Sequence, residues 1–458
     1  MPLTLRGILL RTGQVFQMDR AVGYTLGYRA WQIVANVLIL LLIVRCLTAT
    51  EQGFYYTFNS VIGLQIFFEL GVGLVILQFA SHEKAALQWE GAYLDGDVHA
   101  KARLRSLFHF ALKWYGASGV LMVFAVLPAG LLFFSHSPDA SAVGDWRIAW
   151  ILLVLSTAGL FLVSPLLAIL EGCGLVGSVA RLRFAQEVAA LTLFMLALLA
   201  GWRLLAIPVI PIVRLAGSSI WLLTSKRKFF RDLNSRDPSE KLNRLSWSKE
   251  IWPMQWRVAV SWFSGYFIFQ FYAPVILMLF GAATAGRMGM SLSITGMIST
   301  VALVWMNTKA PVFGSYIATE KYIELDELFF RTLRTVVWIA VASAGGLWAS
   351  VLILNYIERA WAERILQPSL FGLLALVAVI NTVISSLAVY LRAHKREPLL
   401  WVSVAVAAGL TASILLIGNR MGLTGIIFAA FLITGIMGLG GTLYVFTRRR
   451  REWHAGPL

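Results

Sequence analysis

Apolar runs of membrane-spanning length recur along the whole chain, parted by short charged segments. A hydrocarbon core about 30 Å thick needs about 20 residues of helix at 1.5 Å per residue. The runs predict twelve helices near 21–46, 54–79, 106–134, 148–170, 184–201, 203–224, 252–280, 284–308, 330–355, 368–391, 398–417 and 421–446. The fold class is therefore an all-α polytopic membrane protein. Only Gly201 to Arg203 marks the turn between the fifth and sixth helices. Arg6, Arg11 and Arg20 precede the first run, which reads as a retained span rather than a cleaved leader.

The connections divide by charge. HEKAALQWEGAYLDGDVHAKARLR, the stretch around Arg181 and Arg183, SKRKFFRDLNSRDPSEKLNRLSWSKE, the Lys309–Arg331 loop, RAHKRE and the tail RRRR lie on one side; TATEQG, HSPDASAVGD, ERAWAER and GNR lie on the other. The bias places both termini and the basic loops in the cytoplasm. The basic segment 225–250 separates six helices from six, giving an N-terminal lobe at 1–224, a linker at 225–250, a C-terminal lobe at 251–447 and a basic tail at 448–458. TATEQGFYYTFNS echoes TAGRMGMSLSI, each read as a Gly-bearing turn into the next span. Six spans per half keep both halves in one orientation, so a pseudo-twofold axis along the membrane normal is expected, with a central cavity between the lobes.

Most charges avoid the spans, which gives the exceptions their weight. Thr25, Arg29, Gln32 and Asn36 form one face of the first helix, and Gln65 and Glu69 pair in the second. Arg257, Ser261, Ser264, Tyr266 and Gln270 mark the seventh, and Arg214 stands alone in the sixth. A mid-span charge costs about 2.5–3.5 kcal/mol on insertion scales and needs a counter-charge, water or an interfacial escape. Arg29 and Arg257 read either as a cationic floor for an anionic head group or as side chains snorkelling to the cytoplasmic end. Arg214 lies deeper. It reads as a substrate contact or as the ion-pair partner of Glu69, taken as the sole acidic residue near the middle of a span; Glu69 is equally a candidate to carry a coupling ion. Tyr24, Tyr28, Tyr55, Tyr56 and Tyr266 suit stacking on sugars or an interfacial aromatic belt. Pro208 and Pro211 predict a bend before Arg214. The segment LQWEGAYLDGDVHAKARLRSLFHF predicts an interfacial helix leading into the third span.

Composition agrees: 59% of the 458 residues are hydrophobic and 14% charged, against about 25% charged in soluble domains. The net charge of +16 reflects cytoplasmic loops facing anionic lipid rather than nucleic acid. Cys46 and Cys173 are far apart in sequence and on opposite sides in this topology, which argues against a disulfide. There is no phosphate-binding loop, GLVGSVA being only a scatter of small residues. His82, His99 and His109 lack metal-ligand spacing, and no nucleophilic grouping points to an enzyme. No cofactor is expected.

The segments EQGFYYTFNSVIGLQIFFELGVG, EGCGLVGSVARLRFAQE and MGLTGIIFAAFLITG resemble the oligosaccharide flippases and polysaccharide exporters of the multidrug/oligosaccharidyl-lipid/polysaccharide superfamily, the family of O-antigen repeat-unit flippases. The resemblance covers nearly the whole chain. It implies two six-helix lobes around a cationic cavity in a bacterial inner membrane. It also implies movement of undecaprenyl-diphosphate-linked oligosaccharide from the cytoplasmic to the periplasmic leaflet for surface polysaccharide synthesis. Arg29, Arg214 and Arg257, with Gln32, Asn36 and Tyr266 beside them, are the substrate-binding candidates, and Glu69 the coupling or ion-pair candidate. The drive is left open among the substrate gradient, protons and sodium. Partners would be the lipid-linked glycan, membrane lipids, and polysaccharide polymerase and glycosyltransferases. Two rivals remain: a cation-coupled multidrug antiporter, and a scaffold that docks polysaccharide enzymes.

Overall fold

The computed structural model describes residues 20–234, 247, 252–357, 359–394 and 396–454. In chain order come α1 (Arg20–Cys46), α2 (Ala49–Ile62), α3 (Val72–Lys84), a hairpin of β1 (Leu87–Glu90) and β2 (Tyr93–Gly96), α4 (Val98–Ser135), α5 (Trp146–Leu170), α6 (Val176–Leu199), α7 (Val209–Ser225) and α8 (Arg227–Leu233). There follow α9 (Trp252–Phe269), α10 (Tyr272–Phe280), α11 (Ala282–Ala318), α12 (Tyr322–Ile357), α13 (Pro368–Ala393), α14 (Leu400–Ile433) and α15 (Gly441–His454).

Ten helical stretches among the described residues are long and apolar enough to cross a membrane, and α2 with α3 makes an eleventh, broken at Leu70–Gly71. One of the ten, Trp146–Leu199, has 54 residues, about 81 Å at 1.5 Å per residue, which is two spans. The division falls in the turn Glu171–Leu175, where Gly174 takes φ 91°, a conformation that a side chain would strain. That makes twelve, the number the apolar runs predict.

Several boundaries move. The third span starts at Val98 rather than 106, and the segment before it is a hairpin instead of an interfacial helix. Leu87 and Leu94 are buried on one face of the hairpin while Gln88 and Asp95 are exposed. Gly91, at φ 61°, opens its two-residue loop, as a tight hairpin requires. The Lys309–Arg331 loop is helical except for a turn around Glu320. Hydropathy falls where a helix leaves the hydrocarbon, but backbone hydrogen bonding continues past that point. Pro208 is the N-cap of α7 and Pro211 its third residue, so neither bends a helix interior; the donors they lack belong to the unpaired first turn.

The chain folds into two compact units. One takes the residues up to Cys46, Gly71–Leu131 and Asp145–Gln255; the other takes Leu47–Leu70, Leu132–Gly144 and Trp256 onward. The six-and-six division of the sequence is thus crossed by two short stretches, one of them containing α2.

In the first unit the hairpin is pinned to the turn at Gly174: Trp89 Nε1 donates to Cys173 O at 2.9 Å, and Trp89 packs on Phe229 of α8. Buried Glu83 accepts from Arg103 Nε at 2.7 Å. Arg105 near the start of the third span meets Asp232 just after the sixth, at 3.5 Å. In the second unit Asp326, near the start of the ninth span, accepts from Arg450 Nη2 at 2.6 Å near the end of the twelfth, and from the Tyr390 hydroxyl at 2.6 Å. Each half thus ties its third span to its sixth with an ion pair, and the signs are exchanged. Cys46 and Cys173 are both free.

The second unit also explains the sequence echo. Gly53 and Gly286 are not turn residues; both lie within helices, where α2 and α11 touch backbone to backbone. A Cβ on Gly53 would fall 2.0 Å from Ala282 O, and one on Gly289 2.4 Å from the Tyr56 Cβ. Gln52, 1% exposed, fixes the same contact: its Nε2 donates to Gly286 O and to Arg364 O, each at 3.0 Å. Arg364 Nη2 donates to Leu47 O at 2.8 Å. Gln52→Leu removes both of these buried hydrogen bonds across the helix contact and is expected to cost about 2 kcal/mol, measurable as a lower unfolding midpoint in detergent.

Candidate functional site

The mid-membrane polar residues of the first unit converge where α1, α6 and α7 pack together. Glu187 lies eleven residues into α6, about 16 Å along its axis. Its side chain is 3% exposed and Oε2 lies 2.5 Å from Arg214 Nη2. Gln32 Nε2 of α1 reaches Glu187 Oε1 at 3.4 Å and the Tyr28 hydroxyl at 3.3 Å. Gln186 holds the backbone beneath the pair, donating to Arg214 O at 3.1 Å and Ser218 Oγ at 2.8 Å. Arg214 and Ser218, four apart on α7, share a face, as do Tyr28 and Gln32 on α1. Both carboxylate oxygens of Glu187 therefore have donors. The Arg214 side chain, in contrast, keeps 34% of its surface exposed.

The ion-pair partner of Arg214 is thus Glu187, not Glu69. Glu187 escapes the sequence reading because that reading starts the fifth helix at 184, which puts the carboxylate at its mouth. The helix runs Val176–Leu199, which puts Glu187 about midway along it and level with its partner Arg214. A correct helix start would have set the polar pair Gln186–Glu187 well inside the span and exposed it as a site. Glu69 ends the short turn of helix before the Leu70–Gly71 break and belongs to the second unit.

The other candidates divide between the two units. Arg29 is exposed, its guanidinium 5.8 Å from the Tyr28 ring centroid. Asn36 is exposed on the same face of α1, and the side chain of Thr25 lies outside the described residues. Arg257 and Tyr266 belong to the second unit. Arg257 is exposed beside Trp256, 5.6 Å from its ring centroid. Tyr266 is 5% exposed and packs edge-on against Phe67 with centroids 5.1 Å apart, which leaves little ring face for a sugar. The structure therefore brings Arg214 and Gln32 together on a residue the sequence reading passed over. Among the described residues no cluster of His, Cys, Asp and Glu could hold a metal ion.

No known family's sequence profile matches the chain, and no curated protein matches it. Solved structures do. A multidrug resistance MATE family transporter of the MOP superfamily, in an inward-facing conformation, superposes with a TM-score of 0.57 at 13% identity, over 93% of this chain and 99% of that one. The eukaryotic MATE transporter AtDTX14 gives 0.56 at 13% identity, over 97% and 98%. The MATE multidrug transporter DinF-BH gives 0.56 at 14% identity, over 95% and 96%. The protein is an all-α polytopic membrane protein with the fold of the MATE transporters of the MOP superfamily.

Proposed function

We propose that the protein is a transporter of the bacterial inner membrane that carries undecaprenyl-diphosphate-linked oligosaccharide from the cytoplasmic to the periplasmic leaflet by alternating access, with both termini in the cytoplasm. The observation that supports this reading is the Arg214–Glu187 pair. A guanidinium is set within a span, held by a buried carboxylate on one side and open on the other. An arriving diphosphate offers that fork two oxygens and more charge than one carboxylate. As it engages Arg214, the hold of Glu187 on the guanidinium loosens, and the buried carboxylate needs a proton or a sodium ion in place of the arginine. Substrate binding and ion uptake are thereby tied to one site. Arg29 and Gln32, on the same face of α1, lie along the polar approach. The membrane potential adds about 2.3 kcal/mol per net charge at 100 mV.

A second reading has its own observation. Glu187 is a buried intramembrane acid, and the structural likenesses are to multidrug transporters. In that reading an organic cation competes with Arg214 for Glu187. Proteoliposomes decide between the two. The flippase reading expects transbilayer movement of the diphosphate-linked glycan that drops at least about tenfold in Arg214→Ala, the equivalent of about 1.4 kcal/mol in the barrier. Movement of a cationic dye that is lost in Glu187→Gln, with no glycan movement, would establish the antiporter instead.

A further inference from the structure

A groove of about 470 Å³ runs between α12 and α13, wholly within the second unit. Its floor is Gly345, Gly372 and Ala375, its walls include Trp348 and Leu376, and Ser369 is the one hydroxyl on it; no charged side chain lines it. Trp348 is fixed as a wall because its Nε1 donates to Pro368 O at 3.0 Å and its indole lies against Gly372, where a Cβ would come within 3.1 Å. At Gly345, by contrast, a Cβ would meet nothing within 4 Å. Helix packing has left this space empty.

The position of the groove indicates its occupant. The lining residues of α13 fall in its first three turns, and those of α12 lie about 29–39 Å from its start. The groove therefore occupies the membrane half nearest the Ile357–Pro368 connection. Val341, Trp348 and Leu376 around it keep 47%, 43% and 50% of their surface exposed, so the groove opens outward from its unit at span depth. At that depth the surrounding medium is hydrocarbon, present at high concentration. Small residues on the floor admit a chain to backbone contact, where dispersion is gained on both sides. We propose that the α12–α13 groove seats one acyl chain of a bilayer phospholipid from that leaflet, as a bound lipid distinct from any transported substrate.

The test uses the full-length protein in nanodiscs doped with phosphatidylcholine carrying a diazirine midway along one acyl chain. After photolysis, adducts are mapped by mass spectrometry. They are expected to concentrate on residues 341–348 and 369–379. They are also expected to fall at least about fivefold in Gly345→Leu, whose Cβ meets nothing within 4 Å and whose side chain occupies the groove. Leu376→Trp fills it from the opposite wall and serves if the first variant is poorly folded. Adducts spread evenly over the lipid-facing helices, or unchanged by a well-folded filling variant, would overturn the proposal. So would labelling seen only with a polyprenyl probe, or a cross-link to a second copy through the groove.

Discussion

Arg214→Ala is expected to lower stability by about 3–5 kcal/mol, the usual cost of leaving one member of a buried ion pair without the other. The asymmetry of the pair sets the ranking of the variants. Glu187 is 3% exposed and is left uncompensated in the interior when Arg214 is removed, whereas Arg214 keeps 34% of its surface open when Glu187 is removed. Glu187→Gln is therefore expected to be the milder change, since the amide oxygen still accepts a hydrogen bond and the uncovered guanidinium faces a partly open surface. Replacing both residues by Gln removes both charges together and is expected to recover most of the stability while leaving transport of the anion absent. Unfolding midpoints in detergent, paired with proteoliposome transport, separate the structural share from the functional one. A structural role alone would make stability and transport recover together in the double variant.

Gly53→Ala is expected to be nearly as damaging, although it adds a single methyl group. That carbon would lie 2.0 Å from Ala282 O, and a backbone carbonyl held within α11 cannot turn aside as a flexible side chain can. The helices must part, taking the hydrogen bonds of Gln52 with them. A loss of about 3 kcal/mol is expected, at the upper end of overpacking costs. Gly289→Ala meets the Tyr56 Cβ at 2.4 Å and should behave alike. Gly296→Ala and Gly314→Ala are the controls on the same helix. Nothing lies within 4 Å of either added carbon, and helix propensity should make them neutral or stabilising by up to about 1 kcal/mol. The unfolding midpoints of the four variants, measured side by side, check the contrast.

These two sites also show what the sequence could and could not disclose. The count of twelve spans was legible because hydrocarbon demands length and apolarity, both linear properties of the chain. Arg214 was legible because a charge within an oily run is costly wherever it points. Its partner was not, because the reading ended the polar segment ARLRFAQE too late and assigned Glu187 to a helix mouth. The glycines of the echo were visible, but their purpose was not. Gly53 and Gly286 meet across more than two hundred residues of chain, and a turn and a helix contact call for the same residue type. The hairpin at Leu87–Gly96 was hidden for a different reason: only four residues in each strand alternate, and adjoining helical sequence masks so short a period. Tyr266 has the character of a sugar-stacking residue, but Phe67, which packs against its ring, comes from another part of the chain.

The central claim is that Glu187 and an anionic substrate compete for Arg214. The most direct measurement is the affinity of the purified protein for undecaprenyl-diphosphate oligosaccharide, compared among wild type, Glu187→Gln and Arg214→Ala. The expected result is tighter binding than wild type in Glu187→Gln, where the guanidinium is released, and weaker binding in Arg214→Ala. Equal affinities in all three, or a loss in Glu187→Gln as large as that in Arg214→Ala, would contradict the claim.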